Sequence, residues 1–524
     1  MLLQLENATL SYGSKPLFQN ANFSVNEGDR IGLVGDNGCG KTSLFRCVLG
    51  QETLSSGKRL VSRTVNKIGY VPQVLPPALK DQPLYDYLAS ALPPEERDYT
   101  LWKVDTVLSV LDIPEDLWTK KLAHLSGGWQ RFAMISHVYL QEPDVLLLDE
   151  PTNYLDLEKI FKLEKWLMNN VSIPYVVISH DRTFLDKCTQ KTIHMRDGKL
   201  LQHNVPYTRA REALLNEDIA AYRDRQIEEK EIERLRAAAK RIKIWSAGRN
   251  AGMDKRAKAI QHAADRLDAR KTEVYKEPLR DISFQQQMVR PNTLLTIRNI
   301  IITTPTGVPL FKVPELNINK GERIALLGMN GTGKSQFLTR LMKALILPEQ
   351  DKENGVLLRF NPQVNVGYFE QNMRTLPKEK RLCEYITSIT KSEQEAIKQL
   401  ITAGFPYKKQ KESISTLSQG EKARLAFLAL KLGKHNFFIM DEPTNHVDIQ
   451  GQEKFEDALI DNAHTCLFVS HDRYMVEHVA TRYLQIYNGI LKEIPSPQQF
   501  YNQILNPLSN RVSITLLKNK QKTY

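Results

Sequence analysis

The stretch RIGLVGDNGCGKTSLF, Arg30 to Phe45, decides the fold. A short apolar run leads into the pattern G-x-x-x-x-G-K-[ST], here Gly35, Asp36, Asn37, Gly38, Cys39, Gly40, Lys41 and Thr42, and a helix is expected to open there and run on through Ser43. Glycines at these positions let backbone N–H groups curl around a phosphate, and the helix start adds the positive end of its dipole. Lys41 would then reach the β- and γ-phosphates of a bound nucleotide, and the Thr42 hydroxyl would ligate Mg²⁺.

The stretch occurs twice. RIALLGMNGTGKSQFL, Arg323 to Leu338, carries the same pattern in Gly328, Met329, Asn330, Gly331, Thr332, Gly333, Lys334 and Ser335, followed by Gln336. Three more motifs repeat in the same order: HLSGGWQRF as TLSQGEKAR, LLLDEPTNYLD as FIMDEPTNHVD, and VISHDRTFL as FVSHDRYMV. Lys41 and Lys334, Ser126 and Ser418, Asp149 and Asp441, and His180 and His471 are each 291 to 293 residues apart. The chain therefore reads as two copies of one domain, residues 1–205 and 292–500, joined by a segment 206–291 and followed by a short basic tail, 501–524. VLLLDE and FFIMDE are short apolar runs ending in two acids, the pattern of buried parallel strands that deliver carboxylates to their C-terminal ends. Asp149 and Asp441 would hold the Mg²⁺ shell, and Glu150 and Glu442 would position and polarise an attacking water.

These motifs resemble the nucleotide-binding domains of ATP-binding cassette proteins, and the resemblance covers both repeats. It implies an α/β fold with two P-loop ATP-binding cassette domains in tandem, joined by a basic α-helical hairpin linker. On the same resemblance LSGGWQ and LSQGEK are signature motifs, presenting Ser126, Gly127 and Gly128, or Ser418, Gln419 and Gly420, to a γ-phosphate bound by the other cassette. Gln73 and Gln371 resemble the Q-loop glutamines that reach nucleotide and metal, Asp156 and Asp448 the D-loop acids, and His180 and His471 the histidines that contact the γ-phosphate beside the catalytic glutamates. In this superfamily ATP lies between the phosphate loop of one cassette and the signature of the other. One chain would then make two sites, Lys41, Glu150 and His180 with Ser418 and Gly420, and Lys334, Glu442 and His471 with Ser126 and Gly128. An ATP hydrolase using ATP and Mg²⁺ follows, acting as a monomer with its cassettes paired within the chain. Tyr12 in LSYG stands where an aromatic ring usually stacks on adenine, whereas the aligned TTPTGVP has no aromatic residue near Pro305.

Composition says what such cassettes could drive. The 524 residues are 41% hydrophobic and 25% charged, as in globular proteins with real cores, and the net charge of +12 favours an anionic partner. Five scattered cysteines without metal-type spacing argue for a reducing cytosol, and no apolar run approaches the ~20 residues of a membrane span. The reading is a cytoplasmic chain with no membrane association and no stable transmembrane subunit. Three roles remain: the ATPase of a membrane transporter, a DNA-repair ATPase with zinc modules or long coiled coils, and a ribosome-acting factor with a basic helical hairpin between its cassettes.

The linker separates them. From about Tyr207 to Ser246 there is neither Pro nor Gly, and Leu215, Ile219 and Tyr222, then Ile232, Leu235, Ala239 and Ile242, recur at helical spacing. Met253, Ala257, Ile260, Ala264, Leu267, Lys271 and Val274 continue the pattern after the break SAGRNAG, which allows an antiparallel hairpin. At ~1.5 Å per residue the first helix would extend roughly 55–60 Å and carry its far end away from the cassettes. Around that end stand Arg234, Arg236, Lys240, Arg241, Lys243, Arg249, Lys255, Arg256 and Lys258 against Asp254 alone, with Trp245 placed either to stack on a base or to pack between the helices. Arg241, Lys243, Trp245, Arg249, Lys255, Arg256 and Lys258 are the candidate RNA contacts. Cassette, basic linker and cassette, with EPTNYLD and EPTNHVD after the catalytic acids, resemble the ABC-F family. Members bind the ribosomal tRNA exit site in the ATP state and extend the linker toward the P-site tRNA, so the resemblance implies ribosomal RNA and P-site tRNA as partners and hydrolysis as the release step. No arm insertion lies between Gly50 and Gln73, and general translation control and antibiotic resistance both stay open.

Overall fold

The computed structural model describes the chain apart from Ser14 and residues 247–250, 276–291, 352–354, 371–372, 374–375, 446, 462–463 and 506–524, so Arg249 and Gln371 lie outside the described residues. Two compact units form, one from 1–201 with 279–524 and one from 202–278. Among the described residues no helix is long and apolar enough to cross a membrane.

In the first cassette six strands lie in the order Ile68–Val71, Val145–Asp149, Tyr175–Ile178, Arg30–Gly35, Lys191–Arg196 and Lys199–His203. The first five pair in parallel. Val145–Asp149 is buried at every position, because helices cover both faces of such a sheet and no solvent side is left to alternate with. A separate antiparallel sheet places Leu3–Tyr12 between Lys15–Val25 and Ser56–Val61. The second cassette repeats the parallel order with Val366–Phe369, Phe437–Asp441, Thr465–Val469, Arg323–Leu327 and Arg482–Tyr487. There the antiparallel strands are continuous with the parallel ones, since Pro309–Asn319 bridges Ile490–Ile494 at Lys312 and Ile490. In both cassettes the phosphate loop, the two acids and the histidine leave the same, C-terminal edge of the parallel strands, which brings residues more than a hundred positions apart into one place.

The cassettes also share a core. Leu157 and Phe161, on the first cassette's helix Leu157–Asn169, are buried in the apolar cluster of the second, and the Phe161 and Tyr501 rings stand 6.0 Å apart. Two buried guanidinium groups cross the boundary in opposite directions. Arg182 makes a forked contact with Glu456, at 3.0 Å for one arm, and reaches Asp472 at 3.3 Å; Arg473 pairs with Glu164 and lies 3.6 Å from Asp181. The two sets occupy equivalent positions of the two repeats. The fork at Arg182 satisfies both Glu456 oxygens, which makes that ion pair tolerable in so dry a place, whereas Arg473 reaches Glu164 through one arm.

The second unit is an antiparallel hairpin of helices Tyr207–Ser246 and Ala251–Ala269. Ile232 and Ala239 of the long helix and Ala257 and Ala264 of the short one are buried, a seam of three alanines and one isoleucine between the helices. Arg236 reaches across to Asp268 at 2.7 Å, and Glu228 accepts the N–H and hydroxyl of Thr272 at 2.8 and 2.9 Å. The pattern read from sequence changes in three places. Lys271 and Val274 lie beyond the second helix, which ends at Ala269, and Leu215, Ile219 and Tyr222 are exposed. The reason for both is length: a 19-residue helix covers only about half of a 40-residue one. Met253 and Leu267, on the short helix itself, are exposed as well. Trp245 is 81% exposed, so the reading in which it packs between the helices fails.

Candidate functional site

The phosphate loops owe their shape to glycine. Gly38 and Gly40 have φ of 80° and 109°, and Gly331 and Gly333 of 79° and 101°, values that side-chain-bearing residues rarely adopt. Gly35 serves a different need, because a methyl group there would lie 2.4 Å from Met195 O and 2.8 Å from Cys39 Sγ. A methyl on Gly328 would lie 2.9 Å from the Thr332 hydroxyl, which itself donates to Met329 O at 2.8 Å. Lys41 Nζ donates to Gly35 O and Asp36 O at 2.7 and 3.0 Å, and Lys334 Nζ to Gly328 O and Met329 O at 2.7 and 3.1 Å. Each ammonium is thus held in the loop's own bowl, at the start of helix Lys41–Leu49 or Lys334–Ala344.

The acids follow. Thr42 Oγ1 donates to Asp149 Oδ2 at 2.9 Å and Tyr70 donates to the same oxygen at 3.3 Å; Ser335 and Asp441 stand at the equivalent places of the second cassette and line the cleft between the cassettes. Burial raises the Asp149 carboxyl above its usual range and pushes Asp441 up to about 6. Glu150 and Glu442 both have φ of 51°, a left-handed backbone that an ordinary residue holds only when its surroundings over-determine it. Their N–H groups donate to Ile178 O and Val469 O, each at 2.9 Å, which fixes that turn. Glu150 is 5% exposed, and neither carboxylate oxygen has a hydrogen-bond partner among the described residues. Burial pushes its pKa up to about 7 against the pull of Lys41. The His180 ring lies 3.2 Å from Glu150 without hydrogen-bond alignment and 3.2 Å from Asn37 Oδ1; burial, then Lys41, holds the imidazole well below its ordinary pKa and hence neutral. Glu442 differs in accepting the His471 N–H at 3.0 Å.

The D-loop acids cross between cassettes. Asn37 N–H donates to Asp448 Oδ2 at 3.1 Å, and Asn330 Nδ2 donates to Asp156 Oδ2 at 3.0 Å. A cleft of about 1420 Å³ runs between the cassettes. It is lined by Tyr12, Asn37, Gly38, Gly40, Lys41, Thr42, Ser43, Gln73, Asp149, Glu150, Asp156 and His180 of the first, and by Asn330, Gly331, Gly333, Lys334, Ser335, Gln336, Ser418, Gln419, Gly420, Asp441, Glu442 and His471 of the second. Ser126, Gly127 and Gly128 do not line it. A methyl on Gly127 would lie 3.2 Å from Tyr154 Cβ and one on Gly128 2.8 Å from Lys159 Cδ, so the segment after the first cassette's acids covers its own signature. Ser418 also differs from Ser126: its hydroxyl accepts from Glu421 N–H at 3.3 Å in a capping box, whereas Ser126 makes no such bond. The Tyr12 ring is exposed to the cleft with its hydroxyl bonded to Glu52, while Thr304 and Pro305 line the corresponding place in the second cassette.

One contributor was not read from sequence. Arg131, on the signature helix Gly127–Leu140, is buried and donates to Pro72 O at 2.6 Å and to Gln73 O, so it carries the backbone of the Q-loop. The signal was a lone arginine among apolar helix positions, and Ala423 stands at the equivalent place in the second repeat. Asp149 and Thr42 are hard oxygen donors in contact at a helix start, a set that suits Mg²⁺, and Asp441 and Ser335 are the same residue types at the equivalent places.

The family model described as ABC transporter matches residues 18–153 and 311–445, together over half the chain. ABC transporter F family member 5 of Arabidopsis thaliana is 29% identical, with 95% of this chain aligned to 77% of that protein. Ribosome protection protein VmlR of Bacillus subtilis (strain 168) is 27% identical over 94% of this chain and 88% of the relative. The solved archaeal ribosome recycling factor aABCE1, in complex with stalk protein aP1, superposes with a TM-score of 0.63 at 18% identity over 95% of this chain and 92% of that one, a likeness of fold. With the repeated motifs and the tandem sheets, these matches place the chain in the ATP-binding cassette family, as an ATP hydrolase of the ABC-F type.

Proposed function

We propose that the chain acts on the ribosome, binding it with ATP held between the cassettes and leaving it after hydrolysis, with the hairpin as the element that contacts RNA. The division is into cassettes 1–205 and 292–500, a linker 206–291 and a tail 501–524. The observation that carries the reading is the charge at the hairpin's closed end. Lys240, Arg241, Lys255, Arg256 and Lys258 are exposed and make no ion pair among the described residues, whereas Arg234 and Arg236 farther down are paired with Glu231 and Asp268. Unpaired cations on a rigid helix suit phosphate, and the exposed Trp245 ring suits a base. Kinship with a protein named for ribosome protection supports the same partner. Ribosomal RNA and P-site tRNA are the RNAs we assign.

At site one, Lys41, with the N–H groups of Asn37 to Thr42, would bind the β- and γ-phosphates, Tyr12 would stack on adenine, and Ser418 to Gly420 would close over the γ-phosphate. Thr42, Asp149 and Gln73 would hold Mg²⁺, which supplies charge neutralisation at the phosphates. Glu150, whose pKa near 7 is matched to neutral pH, would take the proton of the attacking water, and neutral His180 would donate to the γ-phosphate. Lys334, Ser335, Gln371, Asp441, Glu442 and His471 would do the same at site two. Loss of the γ-phosphate removes the contact that joins a signature to the opposite loop, which is how hydrolysis opens the cassettes.

The test is co-sedimentation of the Glu150→Gln, Glu442→Gln chain with ribosomes in ATP across a salt series, with and without Arg241, Lys243, Lys255 and Arg256 changed to Gln. Binding should weaken, the slope of log affinity on log salt should flatten by about 0.7–0.9 per lost phosphate contact, and ATP affinity should hold. Unaltered binding and slope would leave the hairpin a solvated spacer and refute the reading.

A further inference from the structure

At one place the equivalent surfaces of the two cassettes are built alike but charged differently. In the second, residues 378–381 run antiparallel to 411–414: Arg381 pairs with Ser413, Leu382 N–H donates to Glu412 O at 3.2 Å, and Ile414 N–H donates to Lys380 O at 3.1 Å. Ser413 Oγ adds a bond to Lys378 O at 2.8 Å. The neighbouring turn is anchored from inside by Gln410, 1% exposed, whose Nε2 donates to Phe405 O at 2.9 Å. On this fixed backbone Lys378, Lys380, Arg381, Lys408 and Lys411 are exposed, and none makes an ion pair among the described residues. Tyr407 stands among them, 57% exposed, with Lys411 Nζ 4.9 Å from its ring centroid. Acids are present but fewer: Glu379 and Glu412 are exposed, Glu384 accepts the Arg381 N–H at 3.2 Å, and Glu421 pairs with Lys409.

The first cassette supplies an internal control. Pro83 pairs with Lys121 as Arg381 does with Ser413, and Pro114, Glu115 and Asp116 align with Pro406, Tyr407 and Lys408. Lys120 pairs there with Asp116 at 2.9 Å and Lys121 with Asp81 at 3.5 Å, which leaves Lys80 as the exposed cation of that stretch without an ion pair among the described residues. That is how a solvated face is usually built. In the second copy the acidic pair has become an aromatic ring and a cation, and of the neighbouring lysines only Lys409 is paired, while Lys378, Lys380 and Lys411 make no ion pair among the described residues. Unpaired cations around an exposed ring suit an RNA strand, whose phosphates match the lysines and whose bases stack on the ring. An acidic peptide would need the cations but has no use for the ring.

We propose that this face of the second cassette is an RNA-binding surface distinct from the hairpin, gripping the phosphate backbone through Lys378, Lys380, Arg381, Lys408 and Lys411 and stacking a base on Tyr407. It rests on the preceding reading only in taking ribosomal RNA as the strand. The test uses the full chain with Glu150→Gln and Glu442→Gln, in ATP, and with Arg241, Lys243, Lys255 and Arg256 already changed to Gln so that the hairpin contributes little. Affinity for a fluorescent single-stranded RNA of mixed sequence is read by anisotropy across a salt series. Changing the five cations to Gln should lower affinity about tenfold or more and flatten the salt slope by about 0.7 per lost contact. Tyr407→Ala should lower affinity about fivefold or more with the slope unchanged. Lys408→Asp, a single exposed change that restores the first cassette's residue, should act in the same direction if the fivefold variant does not fold. Equal affinity and slope for parent and variants would overturn the proposal, as would polyglutamate competing as well as RNA. If the trapped chain fails to pellet with ribosomes, the preceding reading falls while the oligonucleotide measurement still decides this one.

Discussion

Glu150→Gln should change the protein's stability in a pH-dependent way before any nucleotide is added. The carboxylate is 5% exposed, its oxygens have no hydrogen-bond partner among the described residues, and burial raises its pKa from 4.5 to about 7. A folded pKa above the unfolded one means that the folded state holds the proton more tightly. The cost of keeping Glu150 ionised is therefore full above about pH 7, shrinks as the pH falls through that value, and is gone below the unfolded pKa. At about 1.4 kcal/mol per unit, the shift makes that cost up to about 3 kcal/mol. Gln has the same shape and no charge. Its amide is also unsatisfied there, but that penalty does not vary with pH, so the variant minus wild-type difference isolates the charge. Thermal unfolding of both nucleotide-free proteins should show this difference moving in the variant's favour by up to about 3 kcal/mol between about pH 5 and about pH 8. For a domain of this size that is roughly 6–12 °C in the midpoint of the first-cassette transition, which should be followed separately because two cassettes need not melt together. Glu442→Gln should instead destabilise, since Glu442 accepts the His471 N–H at 3.0 Å and the amide weakens that bond. A Glu150 difference that is constant with pH, or that grows in acid, would refute the reasoning.

With both glutamates changed to Gln, turnover should drop roughly 10²–10⁴-fold while ATP still binds, as measured by phosphate release and nucleotide titration; lost binding would contradict the roles assigned to these residues. Tyr12→Ala should weaken nucleotide binding at site one by about 0.5–1.5 kcal/mol, whereas Pro305→Ala should leave site two nearly unchanged, and equal losses in single-site variants would show the loop comparison to be wrong. Arg473→Met should destabilise by about 3 kcal/mol, the low end of the range for a stranded buried charge, because Glu164 is 3% exposed and Lys187 at 3.3 Å compensates only in part. Adding Glu164→Leu should recover most of that loss in denaturant midpoints, and a double variant no more stable than the single would argue against a stranded charge.

The repeated loops, the acid-ended strands and the helical linker could be read directly because each is set by contiguous residues. A glycine-bound turn, a fully apolar strand and a helix free of Pro and Gly are local choices, and two copies in one order leave little room for another fold. The linker was legible in its helices and less so in its faces. Leu215, Ile219 and Tyr222 have the spacing of a buried stripe, yet burial depends on how far a second helix reaches, and this one ends at Ala269. Other features depend on pairs of residues that only packing brings together. Arg131 carries the Gln73 loop from 58 residues away, and Tyr154 lies over Gly127. Arg182 and Arg473 each find their carboxylates in the opposite cassette. Charge is the sharpest case: the sequence counts lysines, but whether one is neutralised depends on an acid within a few ångströms, and the fold puts Asp116 beside Lys120 while leaving Lys408, Lys411 and the exposed Tyr407 open to another molecule.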